Sequence, residues 1–163
     1  MIEIRRAVEA DWEQSRAIRL QALQQAPLAF ASTYEREIAF AEGIWRQRIN
    51  DAAQFLAVDA GVVVGTATGF AEPSEPGRVI LVAMFVSPSA RGRGVGERLV
   101  RAVVDQARAD GADDVRLQVV ETNDAAARLY QRCGFVATGA SVPLPHHPEL
   151  TEHEMILALR PIG

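Results

Sequence analysis

Between Ser87 and Val100 the chain reads SPSARGRGVGERLV, with Gly92, Gly94 and Gly96 at alternate positions and Arg91 and Arg93 set among them. Glycine loses more conformational freedom on folding than any other residue, so this density implies a backbone that must turn sharply or be approached closely. Arginine adds fixed positive charge and a planar fork of donors. The apolar run from Val79 to Val86 precedes the loop, and helix-like periodicity comes after it. A strand that ends in glycines and opens into a helix presents unpaired N–H groups and the positive end of the helix dipole, where phosphates bind. The spacing therefore predicts capture of a phosphate or pyrophosphate on Arg91, Gly92, Arg93, Gly94, Val95 and Gly96. Two familiar phosphate loops do not fit. A P-loop ends in Gly-Lys-Ser/Thr, and here Glu97 and Arg98 come directly after the last glycine. A dinucleotide-binding turn needs glycine where Glu97 stands and sits on the first strand of its unit, whereas this loop comes after the fourth strand signal.

The elements that must position this loop are legible in the periodicity. IEIRRA alternates as a half-buried strand, and Asp11 is placed to cap a helix over WEQSRAIRLQALQQA that Pro27 stops. FASTYEREIAFAEGIWRQRI predicts one or two short helices broken near Gly43. AQFLAV, DAG and VVVGTATGFA read as strand, tight turn and strand, and EPSEPG as a loop. RVILVAMFV has no polar face, which predicts a central strand covered on both sides. After the glycine loop, Val95, Leu99, Ala102, Val103 and Ala107 fall at helical spacing, with Gly111 as a stop. DVRLQVV, a short helix over NDAAARLYQRC, and FVATGASV come next. PLPHHPEL reads as a loop, and EHEMILALR as a last strand with Met155, Leu157 and Leu159 on one face. The sum is one mixed α/β domain over residues 1–163, with a sheet of about seven strands by strand signals.

Composition narrows the function. The chain has 163 residues, 48% hydrophobic and 23% charged, with a net charge of -4, which gives no reason to expect nucleic acid as the main partner. Cys133 is the sole cysteine, which excludes an internal disulfide and a cysteine-rich metal site. The first residues carry charges where a secretory signal needs an apolar core, and the longest apolar run is too short to span a bilayer. A cytoplasmic protein without a membrane partner is the expectation.

Two segments together resemble the GCN5-related N-acetyltransferases. VSPSARGRGVGERLV looks like that family's acyl-CoA loop, Arg/Gln-x-x-Gly-x-Gly/Ala, matched by Arg91, Gly94 and Gly96. ETNDAAARLYQRCGF is similar to its Asn-x-x-Ala-x-x-Leu-Tyr signature, with Gly-Phe close behind, matched by Asn123, Ala126, Leu129, Tyr130, Gly134 and Phe135. The order of elements agrees from Ile2 to Arg160. RLQALQQAPLAF also resembles a bacterial subgroup. The resemblance implies a mostly antiparallel mixed sheet with helices on both faces, and acetyl-CoA as co-substrate with no metal. It implies a pantetheine arm lying along the strand that ends at Val86, paired to backbone near Met84 and Val86, with Asn123 bonded to it and the pyrophosphate on Arg91 to Gly96. Dimers are common in such folds, and no segment here requires one.

Acyl transfer to an amine needs a neutral amine, a donor for the developing oxyanion and a proton for the leaving thiolate. The resemblance assigns the proton to Tyr130, whose ordinary pKa of about 10 suits a thiolate of similar basicity. Backbone N–H groups near Phe85 or Val86 are the expected oxyanion donors. Many family members carry a base glutamate on the strand before the loop, and VILVAMFV has none. Glu35, Glu37, Glu121, His146, His147 or a water chain are the alternatives. Adjacent histidines without cysteine ligands are weak grounds for a metal, and Cys133 reads as a small packed residue. The acceptor is a small-molecule amine or a protein amino group. A non-catalytic acyl-CoA-binding or regulatory domain of the same fold is the other reading.

Overall fold

A computed structural model describes residues 1–160; residues 161–163, the end of the span expected for the domain, lie outside the described residues. Seven strands form one open sheet: β1 (Ile2–Arg6), β2 (Ala53–Asp59), β3 (Val62–Ala71), β4 (Arg78–Val86), β5 (Asp114–Val120), β6 (Val136–Leu144) and β7 (His147–Ala158). Their order is β1-β2-β3-β4-β5-β7-β6. Only the β4–β5 pair is parallel; the others are antiparallel. Helices α1 (Trp12–Gln25), α2 (Tyr34–Glu37) and α3 (Glu42–Asp51) cover one face. Helices α4 (Val95–Ala109) and α5 (Asp124–Arg132) cover the other. The expected fold is present, and its local differences have physical reasons.

On the α4 face, Val95, Leu99, Val100, Val103, Val104 and Ala107 turn inward at helical spacing against β2, β3 and β4. Burying each valine or leucine stabilises by roughly 1.5–3 kcal/mol relative to leaving it in water. The opposite core joins Ile18, Leu23, Phe30 and Trp45 to Phe85.

Three readings shift at element ends. Asp11 stands at the N-cap of α1 but makes no cap hydrogen bond. Its carboxylate accepts from Arg5 at 2.8 and 3.0 Å and from the Val8 N–H at 2.8 Å, tying β1 to the helix entrance instead. The break between the helices falls before Glu42, so Gly43 lies inside α3 rather than at the break. The expected PLPHHPEL loop collapses to a two-residue turn at Pro145–His146, and β7 starts at His147. His146 takes the positive φ (68°) that such a tight turn requires.

The three helices of one face are joined by a buried charge cluster. Glu37 of α2 is fully buried. It accepts from Arg19 of α1 through Nε and Nη2, both at 3.0 Å, and from Nη1 of Arg48 of α3 at 2.7 Å. Burial pushes its carboxyl up, but hydrogen bonds from Arg19 and Ser32, the Arg19 charge and the Arg48 hydrogen bond outweigh that and hold it at about 2. A carboxyl whose folded pKa is depressed adds stability that is fully present above its unfolded pKa and is lost as pH falls through the folded one. The window here is from about pH 4.5 down to about 2, worth about 3 kcal/mol. Glu37→Gln leaves two guanidiniums without their counter-charge, and the expected loss is about 3–5 kcal/mol at neutral pH. Urea unfolding from pH 7 to pH 2.5 checks both statements: the wild type weakens across the window, and the variant starts lower and changes less there.

Candidate functional site

β4 contains one residue too many for its partner. Thr66 pairs with Phe85 and Thr68 with Val82, so Ala83 and Met84 together oppose Ala67. Ala83 takes φ 57° to make this bulge, a left-handed conformation that alanine rarely adopts. The extra residue changes which side chains face which way. Before it, odd-numbered Val79 and Leu81 pack in the α4-side core; after it, even-numbered Met84 and Val86 do, and Phe85 is sent to the opposite core. On the other edge of β4, parallel pairing to β5 ends at Ile80 and Arg116. From Leu81 onward the two strands separate, and β4 backbone groups on that edge have no β5 partner. A cavity of about 100 Å³ occupies the opening, lined among others by Met84, Asn123, Ala126, Tyr130 and Glu152.

The opened strand runs directly into the glycine loop. Gly92 (φ 78°) and Gly94 (φ 74°) are left-handed with open space where a Cβ would stand, so they serve the turn itself. Gly94 is the N-cap of α4, which leaves the backbone N–H groups of that helix's first turn facing outward. Gly96 has a different reason. A Cβ there would lie 3.0 Å from Met84 Cε and 3.1 Å from Leu129 Cδ2, so its bareness lets α4 approach β4 and α5. Val95 is buried and offers only its backbone. Arg91 donates from Nε to the Val86 carbonyl at 3.0 Å and lies over the Phe85 ring. Arg93 pairs with Asp59 at 3.1 Å and is half exposed. Both arginines thus flank the loop with guanidinium nitrogens to spare.

On α5, Asn123 accepts the Ala126 N–H at 3.2 Å, which makes it the helix N-cap, and its side chain also lines the opening. Tyr130 lies two turns later, 6% exposed and edge-on to Phe135 at 6.0 Å. Burial, then the neighbouring Cys133, pushes its phenol well above the usual range, so it stays protonated. Burial likewise pushes the Cys133 thiol up, which fits a packed residue rather than a nucleophile.

The carboxylates and histidines sort by environment. Glu37 is committed to its arginines. Glu121 is exposed and accepts from the Thr151 N–H at 3.3 Å. Glu35, His146 and His147 come together around a separate cavity of about 610 Å³ that shares only Phe30 with the opening. Sequence reasoning missed Glu152. It sits on β7 opposite Val120, half-buried, and no arginine lies within 4.0 Å of it among the described residues. Burial raises its carboxyl above the ordinary range. Its neighbour on the same face, Glu154, is instead paired with Arg116 at 2.9 Å. The available signal was the alternation in TEHEM, which puts both carboxylates opposite the Met155 face. Glu152 also lines a large cleft of about 790 Å³ under α1, α2 and α3, so one carboxylate borders both spaces. Among the described residues, no group of three or more His, Cys, Asp or Glu side chains is placed to hold a metal ion. No described helix is long and apolar enough to cross a membrane.

A model described as the acetyltransferase (GNAT) family matches residues 12–135. The probable N-acetyltransferase family 8 member 5 of Mus musculus is 37% identical over 100 residues, covering 59% of this chain and 44% of that protein. The chain spans less than half the length of the curated relatives it matches at 36–40% identity. Among solved structures, a GCN5-related N-acetyltransferase from Kribbella flavida has a TM-score of 0.77 at 28% identity, covering 97% of this chain and 98% of that one. The yncA protein of Salmonella typhimurium, solved with its cofactor acetyl-CoA, has a TM-score of 0.78 at 23% identity, covering 100% of this chain and 96% of that one.

The different reasons for glycine give substitutions of opposite sign. Gly94→Ala places a Cβ at a left-handed position and is expected to destabilise by about 1–2 kcal/mol. Gly43→Ala, inside α3 with nothing within 4 Å of a new Cβ, is expected to stabilise by about 0.5–1 kcal/mol. Thermal melts should move in opposite directions, by about 2–4 °C per kcal/mol for a chain of this size.

Proposed function

The chain belongs to the acetyltransferase (GNAT) family, and from that premise we propose that it moves the acetyl group of acetyl-CoA to a primary amine by direct attack in a ternary complex. The observation that carries the reading is the loss of β4–β5 pairing beyond Ile80, which leads an unpaired strand edge from Tyr130 and Glu152 to the N-terminus of α4. Buried backbone groups must be satisfied, and an extended ligand bearing amides is a suitable partner. The residues present fit such a ligand. The strand edge near Met84 and Val86, together with Asn123, would hold a pantetheine arm. The backbone from Gly92 to Gly96, with Arg91 and Arg93, would hold the pyrophosphate. Acetyl-CoA, when bound, supplies the thioester whose acetyl carbon the amine attacks.

The chain's own groups divide the proton work. Glu152, unpaired at the junction of the two spaces, removes a proton from the attacking amine when it is in its carboxylate form. A backbone N–H at Phe85 or Val86, held by the bulge, faces the developing oxyanion. Tyr130 donates to the departing sulfur. A thiol ionises near pH 8.5, below this buried phenol, so full proton transfer is uphill and the hydroxyl serves chiefly as a fixed hydrogen-bond donor. The alternative of a non-catalytic acyl-CoA-binding domain drew support from the missing glutamate on β4, and Glu152 removes that support.

Three measurements test this. Gly96→Val, whose branched side chain pushes Met84 and Leu129 into the opening, should weaken acetyl-CoA binding in a calorimetric titration of folded protein; unchanged affinity argues against the binding site. Tyr130→Phe keeps the packing and should lower kcat about a hundredfold or more with the acetyl-CoA Kd near wild type. Glu152 must be ionised to act, so kcat/KM should fall as pH drops through a pKa above the ordinary carboxylate range. Glu152→Gln should abolish that limb and lower kcat to a similar extent. An acidic limb that persists in the variant assigns the base elsewhere.

A further inference from the structure

The cleft under α1, α2 and α3 and the opening between β4 and β5 have a common border. Among the described residues that line both spaces, Ala29, Phe30, Leu81, Val82 and Ala83 are apolar, and Gln118 and Glu152 alone carry polar side chains. An amine that reaches a thioester from the cleft must cross this border, so these two side chains are placed to meet its N–H groups. They stand on neighbouring strands. Gln118 of β5 pairs with Glu154 of β7, and Val120 pairs with Glu152. Two residues along a strand return to the same face, so Gln118 and Glu152 are diagonal neighbours on one face of the sheet. Such neighbours lie about 7–8 Å apart, within reach of two long side chains. Glu154, directly opposite Gln118, is already engaged by Arg116 and by Thr138, each at 2.9 Å. Gln118 is exposed, and its amide has no hydrogen-bond partner among the described residues.

Resting on the acetyl-transfer reading above, we propose that Gln118 is the second contact of the reacting nitrogen and makes the site selective for primary amines. The apolar border disfavours an ammonium ion, so the amine stands there neutral, with two N–H groups and one lone pair. The Glu152 carboxylate accepts from one N–H and Gln118 Oε1 from the other, at ordinary lengths of about 2.9 Å. The lone pair is then left for the acetyl carbon. As the N–C bond forms, the nitrogen becomes positive. One of its protons passes to Glu152, and the electron pair of that N–H bond stays on nitrogen. The C–S bond breaks with its electrons on sulfur. The hydrogen held by Gln118 remains as the N–H of the product amide. A secondary amine has a single N–H, which must go to Glu152, and so makes no bond to Gln118.

The test compares benzylamine with N-methylbenzylamine as acceptors for the wild type and for Gln118→Leu. Thiol release from acetyl-CoA gives kcat/KM, and calorimetry on the same preparations gives the acetyl-CoA Kd. In the variant, kcat/KM for benzylamine should fall about tenfold to a hundredfold, the loss of a hydrogen bond from a nitrogen that becomes charged. For N-methylbenzylamine the fall should stay below about threefold, with the acetyl-CoA Kd within about twofold of wild type. The added methyl group burdens the wild type and the variant alike, so the difference between the two losses reads the missing N–H rather than bulk. The secondary amine and the cofactor affinity also report whether the variant is folded. An unchanged kcat/KM for benzylamine in Gln118→Leu, or an equal loss for the two amines, overturns the proposal and leaves the transferase reading standing. A wild type that fails to bind acetyl-CoA, or binds it and transfers to neither amine, overturns both.

Discussion

One extra residue in β4 governs the arrangement of the site. An unbroken strand from Arg78 to Val86 would keep one parity against α4 and continue its pairing with β5. The bulge at Ala83 and Met84 exchanges the two faces, so Met84 and Val86 pack beneath α4 while Phe85 packs against α1 and Trp45. Both halves of the strand are therefore anchored in the α4-side core, and the second half is anchored in the opposite core as well, through Phe85. The left-handed alanine has an energetic cost of about 1–3 kcal/mol, and the packing on both sides offsets it. With its faces exchanged, β4 parts from β5 and keeps an edge of backbone that pairs with nothing on that side.

Three glutamates illustrate how environment divides one residue type. Glu37 is fully buried yet strongly acidic, because Arg19 and Arg48 supply charge-assisted hydrogen bonds that outweigh desolvation. Glu154 is neutralised by Arg116 on the neighbouring strand. Glu152, only half-buried, has desolvation without compensation, so its carboxyl moves in the opposite direction from that of Glu37. Opposite shifts separate a carboxylate buried behind the cleft wall, which holds the architecture, from one that lines the cleft without a cation partner.

Much of the fold was legible from periodicity. The amphipathic α4, the strand signals and the glycine stop reflect a simple requirement that apolar faces be covered, and that requirement is written locally. The turn at Pro145–His146 was not, because prolines and histidines suggested a longer loop while the β6–β7 register closed it. The bulge was illegible for a different reason. VILVAMFV is apolar at every position, so it has no alternation whose interruption could mark an inserted residue. The loop and Tyr130 could be singled out as candidates because they lie in short consecutive motifs. Glu152 could not, because its lack of a cation partner depends on which strand brings arginine to Glu154 and none to its neighbour, a property of sheet order. The arginines of the cleft come from three separate helices, and Arg19 and Arg48 are brought together only by Glu37.

The sheet also acts as a partition with one gap. α4 and α5 approach from one side and build the loop, Asn123 and Tyr130; α1, α2 and α3 approach from the other and build the large cleft. An opening between these two layers lies where β4 leaves β5, and there the two spaces share Leu81, Val82 and Ala83. Two substrates entering from opposite faces would meet at the bulge, each held by its own wall. Such a layout favours direct transfer, since bringing two bound groups together already supplies much of what a covalent enzyme intermediate would offer. Cys133, the sole thiol of the chain, fits this view: it packs at the end of α5 among side chains of the α4-side core, and its raised pKa keeps it an unreactive thiol rather than a carrier.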